Sequence, residues 1–96
     1  MAAGDVKCGF QASLANDGTY NVQPGSGEEW VIHNVYGAGS MELYLINGAN
    51  SILIDSMTGA GGFFGMCYHL TNTQYLQIKN KNGGSAHFAY DGIQTK

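Results

Sequence analysis

The chain has 96 residues, of which 11% are charged, and four Lys with no Arg stand against seven Asp and Glu for a net charge of −3. A chain of this length forms one domain, and so few cations cannot neutralise a run of phosphates, which excludes nucleic acid as a partner. No apolar run approaches the length of a membrane-crossing helix, so a membrane is excluded as a partner as well.

Residues 1–8 show no periodicity and are expected to form an extended N-terminal arm, ahead of a β-sandwich domain over residues 9–96. MAAGDVKCGF lacks a charged stretch followed by an apolar one, so no secretory signal is expected and synthesis is placed in a cytoplasm. From Gly9 onward, strand signals recur at the spacing of a sandwich or barrel. Phe10–Ala15 alternates, with Phe10, Ala12 and Leu14 on one face and Gln11 and Ser13 on the other. Asn16-Asp17-Gly18 is a turn of residues that tolerate left-handed φ, and Thr19–Gln23 is expected to follow as a short strand that closes a first hairpin. Pro24-Gly25-Ser26-Gly27 is a loop.

Glu28–Tyr36 is the strongest strand in the sequence. Strict alternation sends Trp30, Ile32, Asn34 and Tyr36 one way and Val31, His33 and Val35 the other; apolar residues on both sides predict a strand covered on two faces. Ser40–Ile46 sets Met41, Leu43 and Leu45 against Glu42, Tyr44 and Ile46. Asn47-Gly48 is a strong hairpin signal, because both central residues of a type I′ turn need positive φ. Asn50–Asp55 pairs back from it, with Ile52 and Ile54 on one side. Met57–Gly62 is a loop. Phe63–Leu70 reads as one long apolar strand with Gly65 marking a bulge. Gln74–Asn80 alternates Leu76 and Ile78 with Tyr75, Gln77 and Lys79. Ser85–Asp91 ends the regular structure with Ala86, Phe88 and Tyr90 on one face, and residues 93–96 are a tail.

That makes about eight short strands, with no helical period longer than a turn. The expected fold is all-β: a single antiparallel β-sandwich, with a jelly roll as one way of arranging it.

Chemistry is harder to find. His33, His69 and His87 would have to be brought together from separate strands to hold a metal, so each reads as a satisfied strand histidine. Cys67 and His69 are two residues apart and share a face, but Cys67 reads as a small buried hydrophobe and no orienting acid accompanies the pair. Without a secretory context both Cys8 and Cys67 are expected to be free thiols. Glu28 with Glu29, or Asp55 with Asp91, would need a cleft to act as paired carboxylates. The Thr58–Gly62 loop lacks the Lys of a phosphate-binding loop and no helix follows it. Asp17 and Asp55 lack the run of alternating acids that a calcium loop needs. The chain is expected to be neither an enzyme nor a cofactor or metal carrier.

The surface must instead be dressed with Asn, Gln, Ser, Thr and Tyr. Trp30, Tyr36, Tyr44, Phe63, Phe64 and Tyr75 exceed what one small sandwich can hide, and they are the candidate interface residues. A homo-oligomer is the expected answer to that excess and to the exposed strand edges.

The segments EEWVIHNVYGAGSMELYLING, SILIDSMTGAG, YHLTNTQYLQIKN and FAYDG resemble small β-sandwich virion proteins of tailed bacteriophages. The resemblance covers roughly residues 28–92, is one of style and order, and matches no residue to a capsid-contact motif. Within that group the short chain is most similar to a capsid decoration, or cement, protein. The resemblance implies a location on the virion surface and a partner in the major capsid protein. It also implies a homo-oligomer, with a trimer favoured, that clamps the shell against the pressure of packaged DNA. The alternative is a carbohydrate-binding module or receptor-binding tip, in which Trp30, Tyr44 and Tyr75 with nearby amides would contact a glycan.

Overall fold

The structure is a computed structural model that describes residues 4–96; residues 1–3 of the expected arm lie outside the described residues. The strands are β1 (Val6–Leu14), β2 (Thr19–Val22), β3 (Glu29–Gly37), β4 (Met41–Asn47), β5 (Asn50–Met57), β6 (Gly61–Phe63), β7 (Tyr68–Thr71), β8 (Gln74–Asn80) and β9 (Ala86–Gln94). They form two antiparallel sheets, in the orders β1-β9-β3-β6 and β2-β8-β4-β5, with β7 also pairing β3. The fold is the all-β antiparallel sandwich expected from the sequence.

The pairings are nested. β1 pairs β9, β2 pairs β8, β3 pairs both β6 and β7, and β4 pairs β5. Counting β6 and β7 as one interrupted strand, this is a long hairpin folded over on itself into the eight-stranded jelly roll. The nine strands observed differ from the eight expected by that one interruption.

Its cause is local. The expected continuous strand over Phe63–Leu70 breaks at Phe64–Cys67, where Gly65 takes φ 66°. The excursion is pinned to β3: Gly65 N donates to Asn34 Oδ1 at 3.0 Å, and Met66 N donates to the His33 carbonyl at 2.8 Å. β3 is itself irregular there, with a register shift between Ile32 and Asn34 that leaves His33 as the extra residue. Such a bulge reverses the facing of everything beyond it. Trp30 and Ile32 therefore face the core before the bulge and Val35 faces it afterwards, while Asn34 and Tyr36 face outward. This corrects the strictly alternating reading of Glu28–Tyr36.

Two further readings are corrected. Val6–Cys8, assigned to the arm, is the first part of β1 and pairs Ile93, Gly92 and Asp91, so β9 runs on to Gln94 through the expected tail. A register shift between Gln11 and Leu14 separates Phe10, which is exposed, from Leu14, which packs on the core.

The core lies between the sheets. Ile32, Val35, Leu70, Phe88 and Ala86 meet Val22, Met41, Leu43, Leu76 and Ile78, with Trp30 at one end. Trp30 stacks on Tyr90 at 6.2 Å, donates from Nε1 to Glu28 Oε1 at 3.1 Å and carries Lys7 Nζ 4.5 Å above its ring. Gly9 leaves the space that Tyr20 and Tyr90 fill, since a Cβ there would meet the Tyr20 hydroxyl at 2.5 Å.

Burial, reinforced by the nearby Tyr20 and Cys8, pushes the Tyr90 phenol up to about 12. Burial also raises Tyr20 and Tyr68. A group whose folded value lies above its unfolded one contributes stability below the unfolded value and loses it as pH rises through the folded one. The fold is therefore expected to weaken between about pH 10 and pH 12. A phenolate absorbance titration followed alongside circular dichroism should show the last ionisation coinciding with unfolding, and Tyr90→Phe should remove that late step.

Candidate functional site

The outward surface of the first sheet is built by cross-strand rows. Phe10, Ala89, Tyr36 and Gly62 lie abreast on β1, β9, β3 and β6; Cys8, Asp91 and Asn34 form the next row; Val6, Ile93, Val31 and His69 lie beyond the bulge. The Phe10 ring meets the His87 imidazole at 5.8 Å, and Phe64 turns back over Gly62 to meet Tyr36 at 5.6 Å. Gly62 is needed for this, because a side chain there would strike Phe64 and the Val35 carbonyl. Between the rings lies a shallow hollow with almost wholly carbon walls, lined by Phe10, Tyr36, Gly37, Ala38, His87, Phe88 and Ala89.

A polar seam fixes the middle of this face. Asn34 Nδ2 donates to Asp91 Oδ1 at 2.8 Å, and the Tyr36 hydroxyl donates to Asp91 Oδ2 at 2.5 Å. The bond to Asp91, helped by burial, holds the Tyr36 phenol above its usual range. These bonds hold the Tyr36 ring in place as one wall of the hollow.

A second apolar surface sits on the other sheet. β5 is its outermost strand, pairing β4 on one side and no strand on the other among the described residues. Every residue of β5 except Met57 is exposed, including Ile52 at 60%, Leu53 at 51% and Ile54 at 38%. Ile52 is paired with Leu45 and Leu53 with Tyr44, so the two point to opposite faces, and Ile54 is the extra residue of a bulge against β4. Asn47 pairs Asn50, so the turn residues are Gly48 and Ala49; of these only Gly48 takes positive φ, and the type I′ turn expected there does not form. The hairpin itself was legible from Asn47-Gly48. That its returning strand overhangs the sandwich was not, although three consecutive aliphatic residues without Lys or Pro were a signal for it.

The sequence-predicted interface residues do not form one patch. Trp30 is a core residue, 7% exposed, because β3 presents it inward. Phe63 pairs Val35 and packs on the core. Tyr36 and Phe64 lie together on the outer face of the first sheet. Tyr44 and Tyr75 are half-buried on the outer face of the second, and the Tyr44 hydroxyl donates to Glu42 Oε1 at 2.7 Å. Phe10, His87 and the β5 aliphatics were absent from that prediction. Phe10 was placed on one face with Leu14 by a regular alternation that β1 does not keep.

The histidines stay on separate strands, and no group of three potential metal ligands exists among the described residues. His33 Nδ1 meets the Met66 carbonyl at 3.1 Å, and Cys67 Sγ approaches His69 Nε2 at 3.5 Å. Cys67 is exposed, contrary to the buried hydrophobe expected, because the break between β6 and β7 carries it off the sheet; both cysteines are free. Asp91 is engaged by Asn34 and Tyr36, while Asp55 lies on β5 in the opposite sheet and accepts from Ser56 N at 2.8 Å. Glu28 is bonded to Trp30 Nε1, and Glu29 lies 3.7 Å from Lys96. No family model matches the chain, and no curated protein is similar to it.

Proposed function

We propose that this chain is a structural protein of a tailed-bacteriophage virion. It acts as a decoration, or cement, protein that binds as an oligomer on the lattice of the major capsid protein and stabilises the shell. The observation that carries this reading is the exposed aliphatic edge of β5, seen together with the exposed rings of Phe10 and Phe64. Surfaces of this kind mark contact with other protein, and a bare strand edge is otherwise an aggregation hazard. The jelly roll is used by shell proteins and by lectins alike, so the surface and not the fold must choose between them. Low charge suits a protein packed among neighbours. An oligomer with several weak sites on a lattice gains affinity through effective concentration, which suits clamping.

Quantitative mass spectrometry of purified particles tests the reading. The chain is expected in many copies per particle and should survive washing; its absence from particles would overturn the proposal. The glycan-binding alternative has in its favour the outer face of the second sheet, where Tyr44 and Tyr75 share rows with Gln77 and Ile46 and Gln77 reaches Asn21 at 2.9 Å. Binding on a glycan array that Tyr75→Ala abolishes, with no copies on particles, would favour that alternative.

A further inference from the structure

We propose that one copy of this chain seats its Ile52-Leu53-Ile54 edge in the hollow of a second copy, between Phe10, Tyr36 and His87, in a head-to-tail contact. The inference deepens the oligomeric part of the function proposed above.

Both halves of the contact are on one chain, and neither is covered by the described residues. The edge is aliphatic, projects beyond the sandwich and presents side chains to both faces. The hollow is open, walled by rings and by the backbone and methyl groups of Gly37, Ala38 and Ala89, and it holds no carboxylate or ammonium group. A branched aliphatic side chain is the occupant that such walls reward, because burying it removes apolar area from water on both partners. The flank chemistry also agrees. Asp55 follows the edge and His87 rims the hollow, so an acceptor is brought toward an imidazole. At a net charge of −3 per copy, repulsion between copies is weak.

Geometry decides the symmetry. β1 packs above β2, so β5 lies at the opposite flank of the molecule from β1 and its share of the hollow. Edge and hollow are separate surfaces of each copy, the hollow spanning β1, β9 and the end of β3, which makes the contact heterologous, and it closes into a ring or runs on as a chain. The competing contact is β5 against β5 of a second copy about a two-fold axis. The Ile54 bulge interrupts the register of that strand, and a bulge is a device that discourages edge pairing. That contact would also leave the hollow uncovered.

Light scattering on the purified chain and two surface variants tests this. The unmodified chain is expected to assemble, whereas Leu53→Glu and Phe10→Glu should each be folded monomers. An equimolar mixture of the two variants should form a one-to-one complex of about twice the protomer mass, since one retains the hollow and the other the edge. A monomeric unmodified chain, an inert mixture, or assembly by Phe10→Glu while Leu53→Glu stays monomeric would each overturn the proposal; the last would assign the contact to paired β5 strands. Should either variant fail to fold by circular dichroism, Ile52→Lys and His87→Glu take their places with the same expectations. The particle measurement above does not depend on this result, so the two proposals fail separately.

Discussion

Asn80→Leu is expected to destabilise the fold by about 3 kcal/mol, read as a lowered urea midpoint at an unchanged slope. Asn80 is fully buried at the end of β8, where the β1–β2 turn and the β8–β9 loop converge. Its Nδ2 donates to the Leu14 carbonyl at 2.7 Å and to the Gly84 carbonyl at 2.9 Å, and its Oδ1 accepts from Asn82 N at 2.7 Å. Its backbone also exchanges bonds with the first turn, accepting from Asp17 N at 2.8 Å and donating to Gly18 O at 3.0 Å. Leucine keeps the volume and leaves two carbonyls and an amide without this partner, at about 1–3 kcal/mol for each that water cannot reach. For a domain of this size the thermal midpoint should fall by more than about 10 °C. Asn80→Asp is expected to do no better, since a carboxylate would face both carbonyls in place of the amide donors. A loss under about 1 kcal/mol for Asn80→Leu would show that the side chain does not tie these connections together.

Gly92→Ala is expected to cost about 2–4 kcal/mol although it adds a single methyl group. Gly92 lies opposite Ile32, where β3 bulges against β9. A Cβ there would collide with the Val31 carbonyl oxygen and would lie 2.7 Å from Ile32 Cα, and both are backbone atoms of the central strand. Relief requires the β3–β9 pairing to open, and with it the seating of Ile32 and Val35 in the core. Gly84→Ala is the matched control: nothing lies within 4 Å of its Cβ position, and its effect should stay within about 0.5 kcal/mol. Equal effects for the two substitutions, measured by chemical denaturation, would mean that backbone entropy and not close packing explains the result at Gly92.

Much of this architecture was legible in the residues. Asn47-Gly48 places the β4–β5 hairpin, and the alternations through Met41–Asn47, Gln74–Asn80 and Ala86–Tyr90 give the right inward faces. Asn16-Asp17-Gly18 is a turn as expected, but it carries the chain from one sheet to the other, because β1 pairs β9 and β2 pairs β8, so the hairpin expected there does not form. What failed was regularity. The pattern Trp30-Ile32-Asn34-Tyr36 looks periodic, yet His33 is an extra residue and Val35 takes the inward place, because the Phe64–Cys67 excursion hydrogen-bonds to β3 from outside. That contact spans some thirty positions and leaves no local trace except Gly65. The same limit applies to the candidate surfaces. Tyr36 and Phe64 were identified from their size, but Phe10 and His87 join them through the pairing of β1 with β9, which no short window contains.

The nesting of the strands sets an order of events during synthesis. Among the described residues β1 has a single sheet neighbour, β9, which is the last of their strands to leave the ribosome. Inner pairs such as β4 with β5 can close early, whereas Val6 and Phe10 must wait on an open edge until the intervening domain has been made. Closure of so distant a pair is entropically slow. A chaperone that shields nascent chains would therefore have its longest opportunity at the amino-terminal strand.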